Sequence, residues 1–82
     1  MKKDEFGVLY QLGRRIAYLR KQAKKSQLIL SIEADISKSY LSDLELGKRN
    51  PSVTTLNKIC VALNVSLEEL FKGISDISLH IR

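Results

Sequence analysis

Between residues 14 and 25 the chain carries six cations and no acidic residue: Arg14, Arg15, Arg20, Lys21, Lys24 and Lys25. Further on, Lys38 is followed by a Lys48-Arg49-Asn50 run. Guanidinium and ammonium groups at this density are chemistry for a polyanion, either nucleic acid or an anionic membrane surface. The excess is lopsided. Residues 1–49 hold 11 basic and 6 acidic groups, whereas residues 50–82 hold three of each, which places the whole +5 in one half. No catalytic constellation accompanies the charge. The single cysteine, Cys60, and the single histidine, His80, form no metal-ligand cluster, and glycine-rich phosphate loops and nucleophile elbows are absent. A binding module is expected, with no enzymatic activity, no metal and no cofactor.

The residues that position these groups are spaced as helices. Leu9, Leu12, Ile16, Leu19 and Ala23 recur every three or four positions, one apolar stripe of a helix over roughly 8–23 with the cations Arg14, Arg15 and Lys21 opposite. Ser26 is an N-cap for a second helix near 27–34, with Leu30 and Ala34 inward. Asp35 tolerates the left-handed turn that would end it. Ser37 caps a third helix near 38–46 that points Leu41 and Leu44 inward and stops at Gly47. Beyond Pro51, Ser52 caps a fourth helix with Val53, Leu56, Ile59, Cys60 and Leu63 on its buried face. Ser66 and Glu69 form a capping box for a fifth helix over 67–72, ended by Gly73. In the tail, Ile77, Leu79 and Ile81 alternate with polar residues. That is the period of a strand, which would pair with a second copy, unless the terminus is frayed or helical.

The 82 residues therefore predict an all-α domain that buries only about 60–65% of its unfolded surface. The expected divisions are a helix-1 extension over 1–11, a domain over 12–73 and a tail over 74–82. No apolar run nears the ~20 residues of a membrane span, and the N-terminus lacks a signal peptide's apolar core. The lone cysteine fits a reducing cytosol.

Two helices separated by Ala34-Asp35-Ile36-Ser37 make a helix-turn-helix candidate. Several segments then follow a single pattern: Leu12-Gly13-Arg14-Arg15-Ile16, Leu19-Arg20-Lys21, Ser26-Gln27, Ile36 to Ser42, and Glu45 with Gly47 to Ser52. Leu56 to Ile59, Ala62-Leu63 and Val65 to Phe71 continue it. Together they resemble the Cro and phage-repressor type of helix-turn-helix domain, the xenobiotic-response-element family, over about 12–73. The resemblance implies a compact five-helix, lambda-repressor-like fold and a transcriptional regulator binding operator DNA as a dimer. By position it implies base contacts from Lys38, Ser39, Ser42 and Asp43. Gln27, Ser37, Tyr40, Lys48, Arg49 and Asn50 fall at backbone-contacting positions, although Tyr40 could equally pack. Arg20 and Glu45 match a pair that ties helix 1 to the end of the recognition helix. Helix 5 and the tail, through Leu67, Leu70, Phe71, Ile74, Ile77 and Leu79, are the expected homodimer surface.

The chain also departs from that pattern. Lys24-Lys25 stands where a glycine and an apolar residue are common, Ser31 where a small alanine is usual, and Asp35 where a turn glycine is usual. Leu28, Ile29 and Ile32 occupy positions that are typically polar. They either form an exposed patch for a protein partner or are covered by Phe6 or Tyr10. The first alternative defines a different class of function, a protein-interaction module of the antitoxin or anti-repressor type. Double-stranded DNA remains the expected partner. A membrane is not, because the basic residues oppose a buried stripe and leave no amphipathic helix free to insert.

Overall fold

The computed structural model describes residues 7–75. Five helices follow one another: α1 (Val8–Gln22), α2 (Gln27–Glu33), α3 (Lys38–Glu45), α4 (Val53–Leu63) and α5 (Leu67–Leu70). Four of them start the same way. The hydroxyls of Ser26, Ser37, Ser52 and Ser66 each accept a hydrogen bond from the backbone N–H three residues on, at 2.9–3.1 Å. Each thereby satisfies an amide that the helix itself cannot pair. Only α1, with Gly7 before it, starts without a side-chain cap.

The helix ends are equally uniform. At Lys24, Asp35, Gly47 and Asn64 the backbone turns left-handed, with φ of 58–81°. The next residue's N–H then bonds back across the turn, as in Lys25 to Arg20, Ile36 to Ser31, Lys48 to Asp43 and Val65 to Cys60. This is the Schellman arrangement, in which the left-handed residue sits just past the helix. Gly47 and Asp35 were expected to do this. Asn64 was not marked by the apolar spacing, which carries no information on backbone handedness.

The core collects Leu12, Ile16 and Leu19 from α1, Leu30 and Ala34 from α2, and Leu41 and Leu44 from α3. Leu56, Ile59, Cys60 and Leu63 of α4 and Leu70 of α5 complete it. Helix α1 packs against α3 and α5, α2 against α3 and α4, and α4 against α5. The contact between α1 and α3 is very close. A Cβ on Gly13 would stand 2.5 Å from the Leu44 carbonyl oxygen and 2.6 Å from that of Glu45, so only glycine lets the helices meet there.

Four expectations are corrected. Val53, assigned to the buried face of α4, is 69% exposed because it opens the helix beyond the reach of the core. Ala23, placed on the α1 stripe, is exposed at the helix end. Helix α5 is shorter than 67–72, and Phe71 is its C-cap. Leu70, counted toward a dimer surface, is fully buried in the chain's own core and has nothing left to offer a second copy. The strand expected at 77–81 lies outside the described residues, as does Phe6.

Candidate nucleic-acid interface

Helices α2 and α3 must keep a fixed relation if one is to lie in a DNA groove while the other spans the backbone. A buried polar network holds that relation. Arg20 on α1 forks onto Glu45 at the end of α3, Nε to Oε2 at 2.7 Å and Nη2 to Oε1 at 3.0 Å. Its remaining nitrogen, Nη1, donates to the Lys25 carbonyl at 2.9 Å. Gln27, the first residue of α2, donates from Nε2 to Glu45 Oε1 at 2.9 Å. One carboxylate, 4% exposed, thus ties α1, α2 and α3 together. The hydrogen bond to Glu45 raises the Arg20 pKa above its ordinary value, outweighing the opposing effect of burial. Lysine could not replace this planar fork.

Further ties come from cations that sequence reasoning treated as one basic face. Arg15 donates to the Glu69 carbonyl and, at 2.8 Å, to its carboxylate. Glu69 therefore does not complete a reciprocal capping box: its backbone N–H is capped by Ser66, but its side chain turns to α1. Lys25 donates to the Ala62 carbonyl at 2.8 Å and pairs with Glu33, joining the α1–α2 turn to the end of α4. Gln11 clasps Ser75 in both directions, Nε2 to O at 2.9 Å and N to Oε1 at 3.1 Å, which holds the chain beyond α5 against α1. Ala62, Glu69 and Ser75 lie 37–64 residues from their partners in sequence, so no local pattern announces these three ties. Gly13 did carry a signal. A glycine inside a helical stripe costs roughly 1 kcal/mol and so points to a packing reason.

What the network leaves in solvent is the start of α3 and the loop after it. Lys38 and Ser39 are exposed on the first turn, Ser42 and Asp43 are half-buried one turn on, and Lys48, Arg49 and Asn50 are exposed. Ser37 caps the helix with its oxygen lone pair, which leaves its O–H as a donor. Tyr40 is half-buried against the core, and the Arg49 guanidinium stands 5.4 Å from its ring centroid. Arg49 also reaches Asp43, Nη2 to Oδ2 at 3.4 Å. Ser31 is buried where a small residue is needed, and its hydroxyl donates to the Leu28 carbonyl at 2.7 Å. On the outer face of α2, Leu28, Ile29 and Ile32 are 51%, 45% and 65% exposed. At that exposure Tyr10 does not cover them; its backbone lies against Gly47, just past α3.

Residues 16–70, which include Arg20, Gln27, Glu45 and the whole of α2 and α3, match the family described as Helix-turn-helix. The chain belongs to that family. Over 59 residues it is 37% identical to the immunity repressor protein of Bacillus phage phi105, covering 72% of this chain and 41% of the repressor. It is 37% identical over 65 residues to the control protein C.MunI of a Mycoplasma species, covering 78% of this chain and 88% of that protein. Among solved structures it superimposes on the restriction-modification controller protein C.AhdI from Aeromonas hydrophila with a TM-score of 0.75. The two share 33% identity over 77% of this chain and 96% of that one. The chain thus spans about two fifths of the phage repressor but most of each controller. Among the described residues there is no helix long and apolar enough to cross a membrane and no cluster of three metal-ligating side chains.

Proposed function

We propose that this helix-turn-helix chain is a sequence-specific DNA-binding regulator of transcription that acts as a dimer on operator DNA. The observation that carries the reading is the Arg20–Glu45–Gln27 tie. It fixes α3 relative to α2 while leaving Lys38, Ser39 and Ser42 facing outward. In the major groove Lys38 can donate to guanine O6 and N7, and the serine hydroxyls suit either donors or acceptors. The Gln27 and Ser37 side chains, Lys48, Arg49 and Asn50 flank that strip and serve the phosphates, which set register and affinity rather than sequence. The dimer face is Leu67, Phe71 and Ile74 around α5, to which Ile77 and Leu79 outside the described residues would add.

Selection of bound duplexes from a random pool, followed by a salt titration, tests this. Two half-sites about 34 Å apart are expected. If the dimer neutralises roughly 6–10 phosphates, log K falls with log salt with a slope of about −5 to −9. A flat salt dependence, or no enrichment of any sequence, overturns the reading.

The exposed Leu28, Ile29 and Ile32 favour a second reading, in which a protein partner docks on α2 and DNA is secondary. Ile32→Lys separates the two. Under the first reading it leaves both DNA binding and regulation in cells intact. Under the second it abolishes regulation while DNA binding persists.

A further inference from the structure

Position along the motif gives Asp43 and Arg49 separate tasks, one at a base edge and one at the backbone. The fold makes them a single cluster with Tyr40. Tyr40 and Asp43 are three residues apart on α3, so their side chains rise from one strip of the helix. The chain then folds back beside that strip. The Lys48 N–H bonds to the Asp43 carbonyl at 2.9 Å and the Gly47 N–H to the Leu44 carbonyl at 3.0 Å. Arg49 is thereby delivered with its guanidinium 5.4 Å from the Tyr40 ring centroid and Nη2 3.4 Å from Asp43 Oδ2.

As a stabilising ion pair this contact counts for little, since the two side chains are 50% and 37% exposed and touch at one long distance. Its significance is orientation. The ring face supports the guanidinium, the carboxylate sets its direction, and four of its five N–H donors remain for another acceptor. A carboxylate on a surface that must meet phosphates repels them unless a cation accompanies it. One that shares its charge with Arg49 is also a poorer acceptor for cytosine N4.

We propose that Tyr40 and Asp43 are positioning residues that hold Arg49 ready for a DNA phosphate, and that Asp43 acts through Arg49 and not on a base. This rests on the DNA-binding reading and deepens it.

The test uses the full chain, the duplex it selects and single-base variants of that duplex. Affinities are measured for the wild type, Asp43→Asn, Arg49→Ala and the double variant, with thermal melts confirming that each is folded. Asp43→Asn removes a negative charge beside DNA, yet it is expected to weaken binding to every duplex by about 3–10-fold, the scale of ordering one long side chain. Base preference stays unchanged. In the Arg49→Ala background the same replacement strengthens binding, because it removes a carboxylate left without its cation. Tyr40→Leu loses as much as Asp43→Asn, whereas Tyr40→Phe loses less, since it keeps the ring face that supports the guanidinium. A changed base preference in Asp43→Asn that survives in the double variant overturns the proposal. So does stronger binding in both backgrounds, or equal losses in Tyr40→Phe and Tyr40→Leu. A wild-type chain that binds no duplex overturns the functional reading along with it, whereas the other outcomes strike the positioning role alone.

Discussion

Gly13 and Cys60 show how much of this fold depends on atoms that are missing or small. An alanine at Gly13 would drive its Cβ into the Leu44 and Glu45 carbonyls, which are backbone and cannot swing aside. Overpacking of this kind costs about 1–3 kcal/mol, against the ~1 kcal/mol that alanine gains over glycine in a helix. Gly13→Ala is therefore expected to lower the melting temperature, by roughly 4–8 °C for each net kcal/mol lost. Cys60 is buried, and burial pushes its thiol above the ordinary 9.0. A raised folded-state value means the native chain holds this proton more tightly than the unfolded chain. That contribution is complete below about pH 9 and fades as pH climbs toward the folded value. Melts from pH 7 to 11 should show an alkaline decline that is shallower in Cys60→Ala, although that variant starts lower because of the cavity it creates.

At the scale of elements, the serine caps and apolar spacing locate all five helices to within a residue or two. Helix capping is local chemistry, so it is written locally. Arg20 and Glu45 were placed by resemblance, and the geometry supplies the third member, Gln27. What stayed illegible depends on distant partners. Arg15 and Lys25 look like surface charge until α5 and α4 fold against them, and Val53 looks like core although its place at the first position of α4 leaves it outside the core. Lys24 offers a test at this scale. It holds a left-handed conformation, φ 59°, at a cost of about 1 kcal/mol to a residue with a side chain. Among the described residues no hydrogen bond of the Lys24 side chain offsets that cost, so Lys24→Gly is expected to raise stability by roughly 0.5–1 kcal/mol. An unchanged denaturation midpoint would count against it.

For the whole molecule, fewer of the 14 cations are free than the sequence suggests, although pairing leaves the net +5 unchanged. Arg15, Arg20 and Lys25 are occupied with Glu69, Glu45 and Glu33, and the cations left at the front are few and placed. Exposed apolar residues occur on α1, α2 and α4, after α3 and after α5, and in the last of these Phe71 is 41% exposed beside the half-buried Leu67 and Ile74. If that region joins two copies, Phe71→Asp should give monomers in sedimentation. It should also weaken operator binding by far more than it lowers the melting temperature, since each half-site would be bound alone. A stable dimer of that variant would move the interface elsewhere.

Helix α3 is held from one side. Its far end is clamped by Gly13, Arg20 and Gln27, and on its first turn Lys38 and Ser39 stand in solvent while Leu41 is buried beneath them. The exposed residues of that turn can be exchanged without disturbing the clamp. If α3 reads bases as proposed, Lys38, Ser39 and Ser42 form a strip on which the preferred operator can drift, or be redesigned, while the fold stays as stable as before.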